Sequence, residues 1–68
     1  MNDFYRMIRE SVGVAANRAE NINVDGSVNW DFVDADVFME INPTKGCVDL
    51  FYELFNKAVD NFIAGKAY

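Results

Sequence analysis

Asp31, Asp34, Asp36 and Glu40 are the residues of this chain whose type and spacing come closest to chemistry. Neighbouring carboxylates can hold a divalent cation, act as general bases or attract a basic partner. The spacing Asp-x-x-Asp-x-Asp lacks the ligand order and the glycine of a calcium loop. No metal and no other cofactor is therefore expected. The chain has no histidine, so a general base would have to be a carboxylate, and these carboxylates are placed as if for solubility. Cys47, near the start of an expected helix, is the one candidate nucleophile. With no histidine to activate it, a partly buried structural thiol is the simpler role. Pro43-Thr44-Lys45-Gly46 lacks the glycine pattern of a phosphate-binding loop. The chain is not expected to be an enzyme.

The carboxylates belong to a stretch of unusual composition. Residues 21–42 hold Asp25, Asp31, Asp34, Asp36 and Glu40 with no Lys or Arg, which accounts for the whole net charge of −5. The same stretch carries the only Trp, two Phe and four Val. A segment both acidic and apolar must bury one face and show its charges on another. The charges have two readings: a solvated edge that blocks strand-to-strand association, or a surface for a partner's basic groove, anchored by Trp30 or Phe38. An acidic chain is repelled by phosphate backbones, so nucleic acid is not an expected partner. No apolar run approaches the ~20 residues that span a bilayer, and the first residues lack the basic-then-apolar layout of a signal peptide. With a single cysteine and no possible internal disulfide, a cytoplasmic location is expected.

These side chains must be positioned by very few elements. At 68 residues, one compact domain covering 1–68 is expected, near the size at which a single core suffices. Phe4, Ile8, Val12, Ala15 and Ala19 recur at helical spacing and predict a first helix from Asp3 to about Glu20 or Asn21. Asn23-Val24-Asp25-Gly26-Ser27 is the strongest turn signal. A three-residue loop there would pair Val24 with Val28 and Ile22 with Trp30. Read as a helix, residues 28–41 scatter their acids, and Asp34 falls inside the face made by Trp30, Val37 and Ile41. With period two, Val28, Trp30 and Phe32 share one face and Ala35, Val37, Met39 and Ile41 another. Strands are the expectation, giving an α+β fold of helix, β-hairpin and helix, with a three-helix bundle as the alternative. Asn42-Pro43 should stop that element. The last helix is expected from Cys47 to Ala64, ended by Gly65.

The last helix is apolar around roughly 220° of its circumference, whereas a single core face needs little more than 100°. Phe51, Tyr52, Phe55, Val59 and Phe62 therefore join Trp30, Asp31, Asp34, Asp36, Phe38 and Glu40 as candidate protein-binding residues. The occupant would be a protein partner or a second copy of the chain in a homo-oligomer.

Residues Asn29 to Met39, Asn-Trp-Asp-Phe-Val-Asp-Ala-Asp-Val-Phe-Met, together with the overall size, resemble small accessory proteins of tailed bacteriophages, including those of marine hosts. The resemblance implies a protein made in the host cytoplasm that binds and modulates or inhibits a host enzyme. It carries no functional residue of its own.

Overall fold

The structure, a computed structural model, describes residues 3–65. It consists of three helices: α1 (Asp3–Ala16), α2 (Trp30–Ile41) and α3 (Val48–Ile63). Single 3-10 turns cover Ala19–Asn21 and Lys45–Cys47. The expected α+β architecture is overturned, because residues 30–41 are helical and no strand forms among the described residues. The alternative, three helices, is what the chain adopts. Of the hairpin only an isolated antiparallel bridge between Ile22 and Val28 remains.

Residues 30–41 become a helix for reasons that period-two counting hides. At 100° per residue, Trp30, Val33, Asp34, Val37, Phe38 and Ile41 fall within an arc of about 140°. All six are buried or half-buried, and Val33 and Val37 are completely so. Asp34 lies inside this stripe, between Ile41 and Phe38, and is accommodated there because it meets Tyr52 of α3. Both ends are capped. The Asn29 side chain accepts a hydrogen bond from the Phe32 N–H at 3.3 Å. Asn42 turns into the left-handed region (φ 50°) and donates its N–H to the Phe38 carbonyl at 2.7 Å. Pro43 then prevents continuation.

That left-handed cap makes a clean test. Asn42→Val should cost about 1–2 kcal/mol, because a β-branched Cβ clashes at positive φ. Asn42→Gly should be neutral or slightly stabilising. Urea midpoints of the two variants check both signs; equal destabilisation by Val and Gly would show that the cap geometry does not matter.

The connector between α1 and α2 is built on polar side chains. α1 ends at Ala16, earlier than the spacing of its apolar residues predicts. Asn17 and Arg18 donate their N–H groups to Val14 and Ala15 at 3.2 Å, three residues back, which tightens the last turn. The turn signal forms a three-residue loop in a different register from the expected one. Val24, Asp25 and Gly26 are its tip; Gly26 donates to the Asn23 carbonyl at 2.9 Å, and Asn23 donates to the Ser27 carbonyl at 2.7 Å. Gly26 takes φ 91°, which only glycine adopts without strain. Asp25 holds the loop by accepting from the Ser27 N–H and hydroxyl at 3.0 and 2.6 Å, and these bonds keep its carboxyl below the usual range.

Asn21 is the pivot of the connector. It is only 3 % exposed. Its side-chain amide donates to the Ala15 carbonyl at 2.9 Å and to the Asp36 carboxylate at 2.8 Å. Its backbone carbonyl accepts from Asn29 N–H at 2.8 Å. One side chain thus joins the end of α1, the loop and the middle of α2.

The core is one cluster: Ile8, Val12, Ala15 and Ala16 of α1, Val33 and Val37 of α2, Phe51, Phe55 and Ala58 of α3. Both α2 and α3 run close against α1, whose Ala15 and Ala16 leave room for it. Between α2 and α3 the filling is aromatic. Trp30 meets Phe62 edge-on with centroids 5.8 Å apart, and Phe38 meets Phe51 edge-on at 5.3 Å. At the α1–α3 seam, Asn61 donates to the Tyr5 hydroxyl at 2.9 Å while Arg9 and Lys57 lie over the Tyr5 ring at 5.7 and 5.2 Å.

Candidate protein-binding surface

The helical form of residues 30–41 sorts the candidate residues onto three sides of α2. Asp36 and Glu40 face the trough along α1. Asp36 is half-buried there, held by Asn21 and 3.8 Å from the Arg18 guanidinium. Asp34 lies on the opposite side, at the seam with α3, where Asp31, Asp34, Ala35, Phe38, Met39 and Tyr52 line a shallow hollow. Asp31 and Glu40 are exposed.

The aromatic candidates divide differently from the expectation. Phe51 and Phe55 are buried among the core rings, Phe51 completely, so neither presents surface for a partner. Their apolar character serves packing: Phe51 stacks on Phe55 with centroids 5.9 Å apart and meets Tyr52 edge-on at 4.9 Å. Trp30, Phe38, Val59 and Phe62 are half-buried and packed against the same core. The wide apolar arc of α3 is thus largely covered from within the chain, because α1 and α2 flank it on two sides. Leu50 and Ile63 are its large apolar residues left exposed.

Two residues that the strand alternation concealed stand out on α2 instead. Phe32 is 55 % exposed and Met39 79 % exposed. With exposed Ala35 they occupy an arc of about 60° opposite the core, at spacing i, i+3, i+7. Asp31 borders this apolar stripe on one side, Asp36 and Glu40 on the other. The signal was present in the sequence, since any helical wheel of residues 30–41 puts Phe32, Ala35 and Met39 together.

Tyr52 of α3 lies against Asp34 of α2 on this surface. Burial, the Asp34 negative charge and a hydrogen bond to Asp34 together push the Tyr52 phenol above its ordinary value of 10.0. The neutral phenol is the form that suits the folded state. Its contribution to stability is therefore complete below pH 10 and is lost as pH rises through the higher folded value. A phenolate absorbance titration should show one tyrosine ionising late. Tyr52→Phe should remove that late step, and Asp34→Asn should move it back toward the ordinary range. A late step that survives Tyr52→Phe would assign it elsewhere.

Among the described residues no three His, Cys, Asp or Glu side chains gather closely enough to hold a metal ion. Cys47 is a free, half-buried thiol at the start of α3. No described helix is long and apolar enough to cross a membrane. Compared with protein-family models, with curated proteins and with solved structures, the chain matches none. The resemblance of Asn29–Met39 to phage accessory proteins therefore rests on those residues and the chain's size alone.

Proposed function

We propose that the protein is a small acidic interaction module that offers the outer face of α2 to an apolar, basic-rimmed groove on a partner protein. The supporting observation is the exposed stripe Phe32, Ala35 and Met39, with Asp31 on one side and Asp36 and Glu40 on the other. Anchors at i, i+3 and i+7 on a rigid helix are the form in which helices enter grooves. Methionine and phenylalanine supply apolar area, and the flanking acids steer approach and select a positive rim. In the version implied by the phage resemblance, the partner is a host enzyme whose activity is modulated or inhibited.

Self-association through the same face is the competing possibility, and charge argues against it. α2 contains no Lys or Arg. Pairing two copies along it would bring Asp31, Asp36 and Glu40 of both together without a compensating cation, and like charges at an interface cost affinity. Light scattering at low salt should return a monomer. A dimer that Phe32→Ala abolishes would replace the partner proposal with the homo-oligomer.

For the partner proposal, capture from lysate by the parent chain is compared with capture by the double variant Phe32→Ala, Met39→Ala. The double variant should keep its helical circular dichroism and lose at least about tenfold of the captured partner. Undiminished capture would exclude this face. Asp31→Asn with Glu40→Gln should weaken capture mainly at low ionic strength, where steering by exposed charge is strongest.

A further inference from the structure

The face between α1 and α2 carries a second, separate feature. α1 exposes Met7 and Val14, the latter 60 %. They are seven residues apart, hence about 10 Å along the helix axis and on one side of it. Together with Ala15 and Ile41 they form the floor of an open trough of about 380 Å³. Glu10 stands on the α1 bank, Asp36 and Glu40 on the α2 bank. Arg18 is the one cation in the lining, and it is drawn to Asp36 at 3.8 Å.

We propose that this trough receives a cationic amphipathic helix from a partner protein, distinct from the contact made by the outer stripe of α2. The floor offers two apolar sites two helical turns apart, which match the i and i+7 anchors of an incoming helix. Acids on both banks match Lys or Arg on both flanks of that helix's apolar stripe. A second copy of this chain does not fit. Its exposed apolar stripe is itself bordered by Asp31, Asp36 and Glu40, which would face the acids of the banks. An enclosed small-molecule site does not fit either, because Met7 and Val14 lie open to solvent.

The probe is a synthetic Leu/Lys amphipathic peptide of roughly 14 residues, long enough for four helical turns, with a Leu/Glu peptide of the same pattern as control. Amide chemical shifts of the labelled protein are followed at about 0.15 M salt, where long-range attraction is screened. The expected result is saturable binding of the Leu/Lys peptide, with the largest shifts at Met7, Ser11, Val14, Glu40 and Ile41, and none with the Leu/Glu peptide. Val14→Asp should weaken binding at least about tenfold while leaving the circular dichroism unchanged. The pair Glu10→Lys, Glu40→Lys should do the same. The pair Asp49→Lys, Glu53→Lys on α3 makes the same change in net charge and should weaken binding much less. Equal weakening by the two pairs would reduce the effect to net charge and overturn the proposal. So would a shift map centred on Asp31, Phe32 and Ala35, or concentration-dependent shifts at the trough with no peptide added. Absence of saturation up to about 1 mM peptide would overturn it as well.

Discussion

Phe51→Ala is expected to remove about 3–5 kcal/mol of stability, the largest loss of any single truncation in this protein. Phe51 is fully buried and touches rings on two helices, Phe38 of α2 and Tyr52 and Phe55 of its own. Removing it deletes the apolar area and leaves a void that helices spaced by aromatic rings cannot readily close. A chain of this length has a total stability of roughly 3–10 kcal/mol on the usual per-residue scale. The variant should therefore melt roughly 12–40 °C lower, or be unfolded at room temperature. Phe32→Ala is the comparison. Phe32 points away from the core, and its truncation should stay within about 0.5 kcal/mol. Thermal and urea unfolding followed by circular dichroism check both values. A loss below about 1 kcal/mol for Phe51→Ala would mean that its packing is not as described.

Asn21→Ala should cost about 1–3 kcal/mol, although it removes only one small polar side chain. The amide satisfies the Ala15 carbonyl at the end of α1 and the half-buried Asp36 carboxylate on α2. Both acceptors lose that partner when it goes. Asn21→Asp is the sharper variant. It sets a second carboxylate where the amide nitrogen lies 2.8 Å from Asp36, and two such groups cannot both stay charged without cost. The introduced repulsion raises the affinity of the folded pair for a proton. Stability lost at pH 7 should then be partly regained as pH falls toward 4, where carboxylates protonate. Unfolding of Asn21→Asp at the two pH values, beside Asn21→Ala, measures this. A penalty for Asn21→Asp that is the same at both pH values would show that the two side chains do not meet.

The end helices were legible because their apolar residues repeat at helical spacing without a charged intruder, and Asn42-Pro43 marked a real stop. Residues 30–41 were not, and Asp34 is the reason. A carboxylate inside an apolar stripe argues against a helix until its partner is known, and that partner, Tyr52, lies on another helix. The period-two alternative gained force from Phe32 and Met39, which are apolar though exposed and so blurred the helical signal. The same residues carry the interaction proposal. The apolar breadth of α3 misled in the opposite direction: it measures burial between two neighbouring helices, which no single-helix wheel can separate from an uncovered face.

The arrangement of the core also sets a timetable for synthesis. Ile8 and Val12 of α1 share their core with Phe51 and Phe55 of α3, so the first helix made depends on the last. At translation rates of roughly 5–20 residues per second, some 2–8 s separate the completion of Ala16 from that of Phe55. During that interval α1 can lean only on α2. The core therefore cannot close until Phe51 and Phe55 have been made, however early α1 meets α2.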